Sequence, residues 1–185
     1  MGTVTSFCFV AYGQNAIGIK GGLNIANLSS FESNPRLSGH GGIFLNHTIR
    51  KNLAFQAELL FSGEGQRYFA DGFTRQGERT IAINYIQLPL MIQYSPIAQL
   101  YLEAGPQVGL LISARDRPHG SNAVNVKEQY STGQVVIGVG LGVKATDELM
   151  LYGRYNFGLT DVSKVRSNID HSNVGQVGIA IRLKQ

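Results

Sequence analysis

The stretch LYLEAGPQVGLLI, residues 100–112, decides how the chain is read. Every second residue is apolar: Leu100, Leu102, Ala104, Pro106, Val108, Leu110 and Ile112. The residues between are Tyr101, Glu103, Gly105, Gln107, Gly109 and Leu111. Side chains alternate sides along a β-strand, so one face is wholly apolar and the other carries a carboxylate, an amide and glycines. Which of the two faces meets water separates a soluble protein from a membrane protein.

The same period of two recurs in residues 17–25, 43–49, 53–61, 86–94, 135–143, 149–159 and 177–183, and no segment sustains a period of 3.6. The fold class is therefore all-β, with about eight strands. The connections add a topology. NLSSFESNPRLS is long and Arg50-Lys51-Asn52 short; the polar stretch around GEGQRYFADGFTRQGER is long and Ser95-Pro96-Ile97-Ala98 short. ARDRPHGSNAVNVKEQYST is long, ATDE short and TDVSKVRSNIDHS long again. An up-and-down antiparallel barrel sorts its connections in this way, odd ones at one end and even ones at the other. Transmembrane barrels combine short periplasmic turns with longer extracellular loops.

Bulk properties bound the alternatives. A chain of 185 residues supports one domain. Charged residues make up 15%, against roughly 25% in soluble domains, and there are 23 glycines. The net charge of +4 is spread without the basic run or stripe that a nucleic-acid footprint needs, so no nucleic-acid partner is expected. A single cysteine, Cys8, excludes an internal disulfide and a cysteine-rich metal site. No window reaches the ~20 apolar residues of a transmembrane helix, a test that barrel strands of about 9–11 residues escape. Residues 1–15, opening MGTVTSFCFVAYGQ, read as a partial signal peptide or leader, and residues 16–185 as a single barrel domain.

A soluble lipocalin-like barrel that binds an apolar small molecule would turn the apolar face inward and show Lys, Glu and Thr to water. Here the second face is rich in Gly, Gln, Asn and Ala instead. Glycine has little use on a solvated strand but a clear one in a narrow lumen that large and small side chains share. The apolar face, including Leu88, Leu102, Leu151 and Ile179, is thus expected to face lipid. Lys20, Glu58, Glu103, Lys144, Arg154 and Arg182 are expected to form an ion-pair network in the lumen, since unpaired charges there would cost several kcal/mol each. Aromatic girdles are expected from Phe55, Tyr94 and Tyr101 at the short turns and from Phe61, Tyr155 and Phe157 toward the long loops.

IGIKGGLNIANL, YIQLPLMIQY at 85–94, LYLEAGPQVGLLI, GLGVKATDELMLYGRYNFGLTDV and VGQVGIAIRL, in this order, resemble the outer-membrane β-barrel domain of the "porin family" proteins common in Bacteroidetes, small barrels similar to OmpA and OmpX. The resemblance covers residues ~16 to 183. It implies an integral protein of the bacterial outer membrane, exported and inserted by the barrel-assembly machinery, and no agreed activity. Such barrels often end on an aromatic residue, whereas this chain ends Arg182-Leu183-Lys184-Gln185.

Chemistry-bearing motifs are few. The glycines of GVGLGVK, 138–144, recur at period two, where a phosphate fingerprint needs G-x-G-x-x-G between a strand and a helix. Glu58 and Glu103 lie on different strands and read as ion-pair partners rather than a catalytic pair. His119 and His171, with Asp116 and Asp170 nearby, have the donor types of a metal site but read as solvated loop residues. His40 and His47 stand apart in sequence. The loops hold Ser113, Ser131, Ser163, Ser167 and Ser172 beside His171 and Asp170 without triad spacing, so an outer-membrane enzyme working from its loops is the least favoured reading. No catalytic residue, cofactor site or metal site is assigned. The remaining signal is a mixed-charge loop rim, Arg36, Arg75, Arg79, Arg115, Arg117 and Arg166 with Asp71, Glu78, Asp116, Glu128, Asp161 and Asp170, suited to lipopolysaccharide phosphates or an envelope protein partner and equally to keeping the loops in water. The protein is expected to act as a monomer in a structural or surface-interaction role.

Overall fold

The computed structural model describes residues 15–28, 34–69, 78–118, 122–160 and 172–184. The strands are β1 (Asn15–Leu28), β2 (Asn34–Arg50), β3 (Leu53–Phe69), β4 (Glu78–Ile97), β5 (Leu100–Pro118), the two-residue β6 (Val124–Asn125), β7 (Gly133–Lys144), β8 (Leu149–Gly158) and β9 (Ser172–Lys184). All pairings are antiparallel. Each long strand pairs with its neighbours in the chain, and β9 pairs with β1 to close the cylinder. β6 pairs only with the end of β5, so the barrel wall has eight strands. The leader read in residues 1–15 falls, except for Asn15, outside the described residues.

Side-chain direction answers the question posed by residues 100–112. Leu102, Val108, Leu110 and Ile112 stand exposed on the outside, while Tyr101, Glu103, Gln107 and Leu111 are buried inside. The pattern holds around the wall: Ile17, Ile19, Ile43, Leu45, Leu88, Leu141, Leu151 and Ile179 all point outward. Such a surface is compatible with a hydrocarbon environment and not with water, because it forms one continuous apolar belt. The lipocalin-like arrangement, with these side chains inside, is excluded.

The inner face depends on glycine. A Cβ at Gly142 would run into the Tyr101 ring across the β5–β7 pair, and one at Gly18 would meet the Phe44 ring. Each ring fills space that the opposite strand leaves open. Tyr101 is thus a lumen residue, contrary to its expected place in a girdle, while Tyr94, Phe61, Tyr155 and Phe157 are exposed on the outer wall. The inward phase of Tyr101 follows from its position between Leu100 and Leu102.

The strands also run further toward the long-loop end than the apolar pattern suggests. β3 continues through Phe69 and β4 begins at Glu78, so most of GEGQRYFADGFTRQGER is strand. Backbone pairing alone can extend a hairpin beyond the bilayer, where polar side chains carry no penalty. At that end Ile83, Tyr85, Leu111 and Ala114 form a buried cluster, against which Ile81 and the loop residues Val126 and Tyr130 pack. Val126 N donates to Ala114 O at 3.0 Å, just before the short 3-10 turn Lys127–Gln129.

Depth along β5 generates a test. The outward run on β5 extends from Leu100 to Ile112, and Val108 lies closer to its centre at Pro106 than Leu102, which follows the short turn. Val108→Arg is expected to lower stability by ~2–4 kcal/mol and Leu102→Arg by only ~0–1 kcal/mol. Urea unfolding in phospholipid vesicles measures both.

Candidate functional site

Four charged side chains meet in the middle of the lumen. Lys20 comes from β1, Glu58 from β3, Glu103 from β5 and Arg154 from β8; all four are buried. The Arg154 guanidinium bridges the two carboxylates. Its Nη1 and Nη2 donate to Glu58 Oε2 and Oε1 at 3.0 and 2.7 Å, and its Nε donates to Glu103 Oε1 at 2.7 Å. Lys20 Nζ donates to Glu58 Oε1 at 3.0 Å and lies 3.9 Å from the centroid of the Tyr152 ring. Two cations and two carboxylates balance, which is what makes burial of four charges tolerable.

Amides complete the carboxylate shells. Gln56 Nε2 donates to Glu58 Oε1 at 2.6 Å and Gln93 Nε2 to Glu103 Oε2 at 3.1 Å. Asn46 Nδ2 in turn donates to both glutamine carbonyls, at 3.0 and 2.8 Å. On the long-loop side of this layer His40 Nδ1 donates to Asn24 Oδ1 at 2.6 Å, and His40 Nε2 meets the Tyr152 hydroxyl. Asn24 also donates to Ser62 Oγ and Gly63 O, and Gln176 donates to Asn24. Further out Gln87 and Gln134 donate to Glu64. Asn24, Asn46, Gln56, Ser62, Gln87, Gln93, Gln134 and Gln176 have the inward phase that the alternation gives them, while their joining into one network is not legible in any single strand. Glu64 was hidden because its segment read as a loop.

The other two expected members stand apart. Lys144 ends β7 and Arg182 lies near the end of β9, both half-buried at the short-turn mouth. Arg182 Nη1 donates to the Asp147 carbonyl at 3.2 Å. Their side chains have the expected phase but a different height along the barrel axis.

The outer rim is shaped by a bulge. Asn84 pairs with Ser113 and Tyr85 with Leu111, so Ile112 is an extra residue and the inward phase of β5 shifts by one. Ala114 and Asp116 turn inward as a result, and Arg115 and Arg117 turn outward. Arg115, Lys127, Ser113, Asn125, Ala123 and Ile112 line an outer crevice of about 310 Å³. Arg36 and Arg79 belong to β2 and β4 rather than to loops, while Arg75 and Arg166 lie outside the described residues, as do His119, Asp170 and His171. Among the described residues no three His, Cys, Asp or Glu side chains gather as a metal site.

An apolar belt around a closed wall and a charge-balanced, filled interior define a transmembrane β-barrel. The chain belongs to the outer membrane protein beta-barrel domain family, whose model matches residues 12–164. It is a bacterial outer-membrane protein. Among solved structures, Neisserial surface protein A is similar at 13% identity and a TM-score of 0.55, with 91% of this chain and 97% of that one covered. Ail, the attachment invasion locus protein of Yersinia pestis, is similar at 10% identity and a TM-score of 0.54, with 92% and 99% covered. At these identities the likeness is one of fold. No curated protein matches the chain.

Glu58→Gln would leave Lys20 and Arg154 with the single Glu103 carboxylate, and is expected to destabilise the barrel by about 3–5 kcal/mol. Adding Lys20→Met restores the charge balance, so the double variant should unfold at a higher urea concentration than Glu58→Gln alone. A double-mutant cycle on the folded protein in vesicles measures the coupling.

Proposed function

We propose that the protein is a monomeric, non-catalytic barrel that presents its long-loop end for surface interaction, with outer-leaflet lipopolysaccharide phosphate as its contact. The outer crevice carries this reading. Arg115 and Lys127 flank it, Ser113 and Asn125 supply neutral hydrogen-bonding groups, and its base includes Ile112, an outward member of the apolar belt. A phosphate anchored on an acylated lipid would bring charge to the cations and hydrocarbon to Ile112 together. Arg recognises phosphate through a planar fork of donors and Lys through a point charge. The same rim is available to an envelope protein partner. Insertion follows from the barrel-assembly machinery, and no nucleic acid is involved.

Two features support a role other than conduction or catalysis. The lumen is crossed by the Lys20, Glu58, Arg154 and Glu103 layer, and its outer end holds the apolar cluster around Tyr85. Small barrels of this strand number are normally filled by side chains.

Titration of the folded barrel in detergent with purified lipopolysaccharide tests the reading. Arg115→Gln with Lys127→Gln should weaken binding at least fivefold, and enzymatic removal of the lipid phosphates should weaken binding to the unaltered protein equally. Binding indifferent to both changes would contradict it.

A further inference from the structure

We propose that the periplasmic mouth of the barrel is a second, separate anion site, built to take a phosphate-bearing group. A cavity of about 70 Å³ opens among the short turns, lined by Arg50, Lys51, Lys144 and Arg182, with Asn52 and Ser95 beside them and no carboxylate among the described residues of its wall. A single water needs about 10–15 Å³ on this measure, so the space suits a small tetrahedral anion.

The charge arrangement here is the opposite of that in the middle of the lumen. There each cation faces a carboxylate at 3.0 Å or less. At the mouth Lys144 forms no ion pair among the described residues, and Arg182, another cation, lines the same cavity. Arg182 has a buried Nε without a hydrogen-bond partner, and its Nη1 takes only a backbone carbonyl. The acids of the neighbouring turn do not neutralise this pair: Asp147 and Glu148 are exposed and offer Arg182 their carbonyl oxygens. Like charges at half-buried positions of one mouth repel, and the β7–β8–β9 pairing keeps their strands side by side. An anion that accepts from the guanidinium and from both lysines removes that repulsion. Phosphate fits better than a carboxylate, because its tetrahedral oxygens can meet donors arriving from the β2–β3 turn, β7 and β9 at once. Its source is either the headgroup of an inner-leaflet phospholipid or a soluble periplasmic phosphate ester.

Amide NMR of the folded barrel in zwitterionic micelles, titrated with inorganic phosphate at constant ionic strength, tests the site. Saturable shifts are expected at Lys51, Asn52, Lys144 and Arg182. Lys144→Gln with Arg182→Gln should weaken binding at least tenfold, and Arg115→Gln with Lys127→Gln at the outer rim should leave it unchanged. Lys51→Gln, in a turn outside the strand pairing, should weaken binding severalfold without disturbing the wall. The absence of saturable shifts, or shifts that survive the Lys144 and Arg182 substitutions, would overturn the proposal. Repeating the titration in nanodiscs separates the sources: competition by added phosphatidylglycerol assigns the mouth to lipid headgroups, and an unchanged titration assigns it to a soluble phosphate ester.

Discussion

Within hydrocarbon no water is available to a backbone N–H or C=O, so every strand must be paired along both edges. Closure of β9 on β1 removes the last free edges, and much else follows from it. A closed wall of eight strands has a narrow interior, and period-two alternation assigns half of the side chains to that interior. The chain meets the resulting shortage of space with glycine opposite two of the bulky rings, Gly142 beneath Tyr101 and Gly18 beneath Phe44. It meets the need for uniqueness with polar groups that have one set of partners.

The central charged layer joins four strands, no two of which are neighbours in the wall. Lys20, Glu58, Glu103 and Arg154 connect β1, β3, β5 and β8 across the lumen, so the layer fastens opposite sides of the cylinder that share no backbone hydrogen bonds. A buried ion network adds little net stability over an apolar filling. Its contribution here is to fix how the walls face one another, while the outer apolar belt and the backbone ladders supply the stability. The interior is then committed to structure.

The sequence was legible wherever the information is local. Alternation in residues 100–112 sets which side chains share a face, and the ordering of long and short connections sets the up-and-down topology. Height along the axis is not local: it depends on the stagger between strands, which no single strand encodes. For this reason the sequence does not show that Lys144 and Arg182 stand at the short-turn mouth, away from the central charges. The bulge at Ile112 was equally hidden, since one extra residue leaves no mark on composition yet reverses the direction of every later side chain on β5. Strand ends beyond the bilayer escaped as well, because there the pattern no longer has an apolar side.

The central claim is that the apolar face looks outward from a closed wall. Electrophoresis in SDS of protein taken from washed outer membranes, with and without boiling, tests it most directly. A closed barrel retains its shape in the detergent, so the unboiled sample should migrate faster and shift to the position of the unfolded chain on heating. Recovery of the protein in the buffer-soluble periplasmic fraction, with no shift on heating, would contradict the account.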